Sequence, residues 1–425
     1  MYRNEILNGI NFLKSIQNAD GGIPGIKETG VSACWTTAEA LETVLLSPYI
    51  SMEHHNFIFK MIEFLLNTQM NAPNNINHDG AWPEYVSTNI AQTLTTGHAL
   101  SALKLAEGII VDDKQLQNRI QTAIKKGFDY LDKIQNSDGG WGIEPEGSGE
   151  EKESRPFGTI FVLRGYIQNG YNSNNSKVVR DACNYLKNLR DIKSGGFSKK
   201  PNEEPDICCT ARVISVFIKS KTYNTNDPII KTALKFIFND KSLKSLFKIK
   251  HDPYVSENSS GMVVFHSNTP IDVIEALCLC RIQDRRMHKL LKWIVQTQED
   301  KGGWYLGGTR DPQINEGVIS WTTNEAIYAL ICADKAFSNE YYERYKKRLK
   351  FYKKVIFTLL FLLVILLFMP SILSSDNALV TLWNTFTPKV KEFIAITVLS
   401  GLVINLFSST IYDWIKKLFK IGDNN

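Results

Sequence analysis

Apolar residues recur at helical spacing through the first 340 positions, in segments of two alternating kinds. The first kind carries an aromatic–aliphatic pair and a polar residue four positions later: Phe12-Leu13 with Gln17, Phe64-Leu65 with Gln69, Tyr130-Leu131 with Gln135, Tyr185-Leu186 with Arg190, and Trp293-Ile294 with Gln298. Glycine follows each of them. That pattern predicts an amphipathic helix with a glycine stop. The second kind is apolar on most faces, as in Trp35–Leu41, Thr95–Leu100, Thr210–Ile214 and Trp321–Ile327. It predicts helices buried on several sides, with Ser, Thr or Asp near each start as the expected N-cap.

The alternation is a repeat. Asp-Gly occurs at Asp20, Asp79 and Asp138, separated by two intervals of 59 residues. Gly195-Gly196 and Gly302-Gly303 continue the series, and Ser260-Gly261 is a degenerate copy. Six units of helix, glycine turn and helix make an all-α domain over residues 1–340, as an open stack or a closed ring. The near identity of Trp35-Thr36-Thr37 and Trp321-Thr322-Thr323 favours closure, because the ends of an open stack usually diverge.

Charge and composition narrow the partners. The 49 basic and 44 acidic residues leave a net charge of +5, too small to point to nucleic acid. Seven cysteines without a CxxC pair fit a reducing compartment, and no apolar leader is expected at the N-terminus. Residues 341–354 form a basic linker that includes Lys346, Lys347, Arg348, Lys350, Lys353 and Lys354. Uncharged runs follow at Val355–Leu373 (19 residues) and Phe393–Tyr412 (20 residues), long enough to span a bilayer. The basic flanks, including Lys416, Lys417 and Lys420, predict a two-helix hairpin over 355–425 with the repeat domain and the tail on the cytoplasmic side. The bilayer is then an expected partner.

Lys126-Gly127, Tyr130-Leu131, Gln135, Gly139 and Trp141 resemble the QW repeat of squalene and hopene cyclases. The wider superfamily includes the protein prenyltransferase β subunits and resembles roughly residues 1–340. The resemblance implies a single α/α toroid of six inner and six outer helices, and a ligand that is an isoprenoid diphosphate or polyprenyl chain. Pro205, Asp206, Thr210 and Ala211 match the cyclase acid motif, but Cys208 and Cys209 stand where it has carboxylates. A thiol, with pKa about 8.5 against about 4, cannot generate a carbocation as that acid does.

Gly195-Gly196-Phe197, Pro201-Asn202, Asp206 and Cys208 also reproduce the spacing of the prenyltransferase zinc motif. The resemblance makes Asp206 and Cys208 candidate catalytic residues and candidate ligands of zinc, whose role there is to activate an acceptor thiol. The family's third ligand, a His, aligns with Trp321, so the set is incomplete; His266 in the fifth turn is a substitute. Read from the residues alone, Asp206 is equally an N-cap, followed by two small packing residues.

Trp35, Glu39, His98, Arg212, Trp321 and Glu325 are the candidate substrate-binding residues: Glu39, His98 and Glu325 share one level of the repeat, Trp35 and Trp321 flank one seam, and Arg212 is a partner for the glutamates. Glu39 and Glu325 become neighbours if the ring closes, and either share a proton or hold a cation, or else point into a wet cavity or pair with Arg212 or Lys104. Two functions follow. One is an isoprenoid-binding prenyltransferase-like or cyclase-like protein, with a partner subunit or a second copy. The other is an inactive toroid that senses an isoprenoid or peptide ligand and signals to its membrane hairpin.

Overall fold

The computed structural model describes residues 1–337 except 26–29, 76, 111, 146–151, 202, 240–251, 259–260, 268, 284 and 305–319; for 252–258, 261–267, 269–270 and 285 only the backbone path is described. The basic linker and both expected spans lie outside the described residues. Among the described residues no helix is long and apolar enough to cross a membrane.

Among the described residues the α-helices alternate between two roles. The outer set is α1 (Arg3–Ser15), α3 (His55–Thr68), α5 (Lys114–Lys133), α7 (Lys177–Asn188), α9 (Pro228–Phe238) and α11 (Arg285–Gln296). The inner set is α2 (Cys34–Leu46), α4 (Thr93–Ile109), α6 (Pro156–Gln168), α8 (Ile207–Lys219), α10 (Thr269–Leu279) and α12, over residues 320–337. Outer helices bury one stripe, such as Val179, Ala182, Cys183, Tyr185 and Leu186 of α7. Inner helices bury nearly every position; in α2 the run from Cys34 to Val44 is broken only at Glu39. That single break points at the toroid axis.

The turns are held by one repeated set of bonds. Gln17, Gln69, Gln135 and Gln298 each donate to the carbonyl of the turn glycine and to a carbonyl of the next outer helix: Phe57, Ala123, Val178 and, for Gln298, Glu5. Arg190 takes the place of Gln in the fourth unit and donates to Thr232 at 2.7 Å. Gly80 has φ +91°, and a Cβ there would lie 2.3 Å from the Lys126 carbonyl oxygen, so only glycine lets the turn sit on α5. Gly302 does the same against Asn8 of α1.

The inner helices start differently from expectation. Of the starts at Ala33, Gln92, Arg155 and Asp206, only Asp206 caps with its side chain. The threonines instead sit inside the first turn and accept the backbone N–H of the residue after the glycine turn: Ile23 to Thr37, Trp82 to Thr96, Trp141 to Thr159, Phe197 to Thr210 and Trp304 to Thr323. They join turn to inner helix. The fifth turn departs from the rest: residues 252–258 and 261–267 pair as an antiparallel β-hairpin in register Asp252–Ser267.

The ring closes. Besides the Gln298–Glu5 bond, the Ser320 hydroxyl donates to Pro24 and Gly25 carbonyls at 2.7 and 2.8 Å, and the Asn324 amide reaches the Thr36 carbonyl at 3.4 Å.

Candidate functional site

Closure brings Trp35 and Trp321 to a centroid distance of 5.1 Å, tilted by 50°. They form one wall of a chamber that also has Leu94, Phe157, Ile160 and Phe161 among its apolar lining. Glu39, His98, Arg212 and Glu325 line the same chamber, so all six predicted substrate-binding residues meet there. A second, polar chamber shares Glu39, His98, Phe161, Arg212 and Glu325 with the first and adds Glu42, Arg164, Asp272, Glu275, Asn324 and Tyr328.

Arg212 is the hinge between the two. Its guanidinium donates to Asp272 at 2.8 Å and to Glu325 at 3.2 Å, and lies 5.0 and 5.2 Å from the ring centroids of Phe157 and Phe161. Lys104, the other partner weighed for the glutamates, pairs instead with Glu107 at 2.7 Å. Arg164 lies 4.0 Å from Glu42, and Lys219 pairs with Glu275 and with the Tyr328 hydroxyl, which also donates to Glu275 at 2.7 Å.

Burial makes these carboxyls diverge. Glu39 and Glu42 lie three residues apart on α2, yet their acidities move in opposite directions. Desolvation raises Glu39 well above the usual carboxylate range, and Glu325 adds repulsion. Desolvation pushes the same way at Glu42, but Arg164, His98 and Ser101 outweigh it and lower the pKa to about 2. Glu275 is likewise lowered to about 2 against its burial, by Lys219 and Arg164 first. Glu325 is raised to about 8 by burial and by Asp272, despite Arg212. His98 is lowered by burial, so it is neutral at pH 7 although 3.3 Å from Glu39. Glu39 and Glu325 are thus shifted toward the protonated form, and Glu42 and Glu275 toward the carboxylate.

Asp206 and Cys208 are placed differently from a shared metal site. Asp206 caps α8, accepting the Cys209 N–H at 2.7 Å, with Lys199 at 3.7 Å. The Cys208 thiol donates to Asp272 at 2.9 Å, and the Cys209 thiol donates to the Ser198 carbonyl at 3.2 Å. Burial, with Asp272 and Asp206 nearby, raises the Cys208 thiol well above its ordinary value, so it is a thiol and not a thiolate. Among the described residues no three His, Cys, Asp or Glu side chains come together to hold a metal ion. The His266 side chain lies outside the described residues.

Glu42, Arg164, Lys219, Asp272, Glu275 and Tyr328 had not been singled out. Their signal was present: each is a polar residue at a helical interval of three or seven from another axial residue, within a helix otherwise apolar.

Solved structures share this architecture at low identity. Cellobiose 2-epimerase from Bacillus thermoamylovorans superposes with TM-score 0.54 at 10% identity, over 78% of this chain and 98% of its own. A glycosidase gives 0.52 at 11%, over 79% and 96%. The type II terpene cyclase MstE from Scytonema gives 0.49 at 15%, over 78% and 98%. Such likeness is one of fold. The family model of the prenyltransferase alpha-alpha toroid domain matches residues 3–156, 158–235 and 238–355, and the chain belongs to that family.

Proposed function

We propose that the toroid binds an isoprenoid chain in its axial cavity. The observation that carries this is the division of the cavity into an aromatic chamber and a polar one sharing Glu39, His98, Arg212 and Glu325. An apolar chain would lie against Trp35, Trp321, Phe157 and Ile160, with its polar head at the shared wall. A diphosphate head suits that wall poorly, since five carboxyls there face three permanent cations. A protonated Glu39 or Glu325 can instead pass a proton to a head-group oxygen, leaving a carboxylate that Arg212 stabilises. Loss of Trp321 tests the site. Equilibrium dialysis with radiolabelled farnesol should show about tenfold weaker binding in Trp321→Ala, from ~1.4 kcal/mol of lost aromatic contact; equal binding would sink the reading.

A second reading is a toroid that binds without turnover. Two observations favour it: the Cys208 thiol is held protonated, and Arg212 already occupies the cation position against Phe157 and Phe161. A fixed guanidinium there repels any carbocation. Such a toroid would respond to an isoprenoid or a peptide. In either reading we place the toroid on the cytoplasmic face of a bilayer, tethered by the two uncharged runs within 355–425. A C-terminal reporter should be inaccessible from outside intact cells, and labelling from outside would overturn that topology.

A further inference from the structure

The polar chamber has more acid than base. Among the described residues its carboxyls are Glu39 and Glu42 on α2, Asp272 and Glu275 on α10, and Glu325 on α12. Three permanent cations face them, Arg164 on α6 and Arg212 and Lys219 on α8. Each cation has one carboxylate: Arg212 takes Asp272 at 2.8 Å, Arg164 lies 4.0 Å from Glu42, and Lys219 takes Glu275. Arg212 also donates to Glu325, but its single charge is already matched. The other titratable groups add no charge: His98 on α4 is neutral, and Cys208 and Tyr328 keep their protons. Glu84 and Lys199 face the apolar chamber, Glu84 bonded to Gln92 at 3.0 Å and Lys199 lying 3.7 Å from Asp206. Glu39 and Glu325 are left over.

A second observation points the same way. Asn324, 1% exposed and lining the polar chamber, leaves its Oδ1 acceptor without a hydrogen bond, as does Glu39 with Oε2. Buried polar atoms without partners are costly. A ligand N–H would satisfy Asn324 Oδ1 and, once Glu39 ionises, its Oε2, whereas Arg212 Nη1, Trp35 Nε1 and Trp321 Nε1 are unpartnered donors on the same walls. The wall toward the apolar chamber is the tilted pair Trp35–Trp321, whose ring faces attract a cation.

We propose that Glu39, Glu325 and Asn324 form a recognition site for the ammonium head of an apolar-tailed amine. This rests on the reading of the cavity as a site for an apolar chain, and names its head group. In the empty site two protons neutralise the surplus carboxyls. As R–NH3⁺ arrives, one carboxylic acid ionises and its proton goes to solvent, so the charge of the chamber is unchanged. No bond to carbon forms or breaks.

Titration calorimetry of the full chain with decylamine and with decan-1-ol separates the two ideas, run at pH 7 in buffers of different ionisation heat. The amine should bind at least tenfold more tightly than the alcohol and release about one proton per ligand. Its affinity should rise close to ~10-fold per pH unit from pH 6 to 7.5, the slope for one proton exchanged. Glu325→Gln and Glu39→Gln should each reduce proton release and amine affinity while alcohol binding persists, which also reports that the variant is folded. Equal binding of both probes without proton release would overturn the ammonium site and leave the apolar site standing. Absence of binding by either probe would overturn both.

Discussion

The rim turns and the axial lining are built from the same repeats by opposite rules. At the rim four units use the same glutamine, the same glycine carbonyl and the same reach to the next outer helix. At the axis no two units present the same set: Glu39 and Glu42, His98 and Ser101, Phe157, Phe161 and Arg164, Arg212 and Lys219, Asp272 and Glu275, Glu325 and Tyr328. Among the described residues the rim solves one backbone problem five times, that of seating a glycine turn on a neighbouring helix. The axis faces a single shared space, where each side chain must complement the others. Repetition marks the scaffold, and its breakdown marks the site.

The comparison breaks most visibly at a rim glycine. Gly80→Ala would force a side chain into φ +91° and set its Cβ 2.3 Å from the Lys126 carbonyl. We expect a loss on the order of 4 kcal/mol, from backbone strain plus overpacking. Thermal unfolding by circular dichroism would read it; an unchanged melting temperature would mean that the turn does not hold the ring.

The two glutamates of α2 and α12 sharpen the other half. Glu42 has a depressed pKa, so its contribution is present above the unfolded value near 4.5 and fades as pH falls toward about 2. Glu42→Gln should cost on the order of 3 kcal/mol at pH 7, because it also strands Arg164, and much less near pH 2. Glu325 has a raised pKa of about 8, so its sign is reversed. The folded state holds the proton, and stability declines as pH rises from about 4.5 through 8. Glu325→Gln should match the parent near pH 4 and exceed it at pH 8.5. Its 25% exposure and its lost bond to Arg212 reduce the gain to about 1 kcal/mol. Parallel pH profiles for the two variants would contradict the divergence described here.

Much of the scaffold could be read along the chain. Gln17, Gln69, Gln135 and Gln298 each lie four residues after an aromatic–aliphatic pair, and all but Gln69 lie four before the turn glycine (Gln69 lies eleven before Gly80), so they were legible because their bonds are partly local. The fifth turn was not legible: Gly261, read as part of a degenerate glycine turn, begins the second strand of a β-hairpin. The threonines were read as caps, yet five of them accept from residues 13 to 19 positions earlier, a distance that no capping rule covers.

The candidate site was half legible. Trp35, Glu39, His98, Arg212, Trp321 and Glu325 all line one chamber. The Asp206–Cys208 spacing stood out along the chain, but in the fold it resolves into a helix cap and a thiol bonded to Asp272. Asp272 lies 64 positions from Cys208, so nothing local announced that bond.

By itself the sequence determined the all-α repeat, the glycine turns and the alternation of half-buried and fully buried helices, since these depend on neighbours within a few residues. Only the tertiary structure decided which charges meet at the axis. Glu39 and Glu42 are the same residue type three positions apart, and local sequence makes them equivalent. Arg164, 122 residues further on, stands beside Glu42, whereas Glu39 faces Glu325. In a water-poor interior that difference of partner decides which carboxyl keeps its proton.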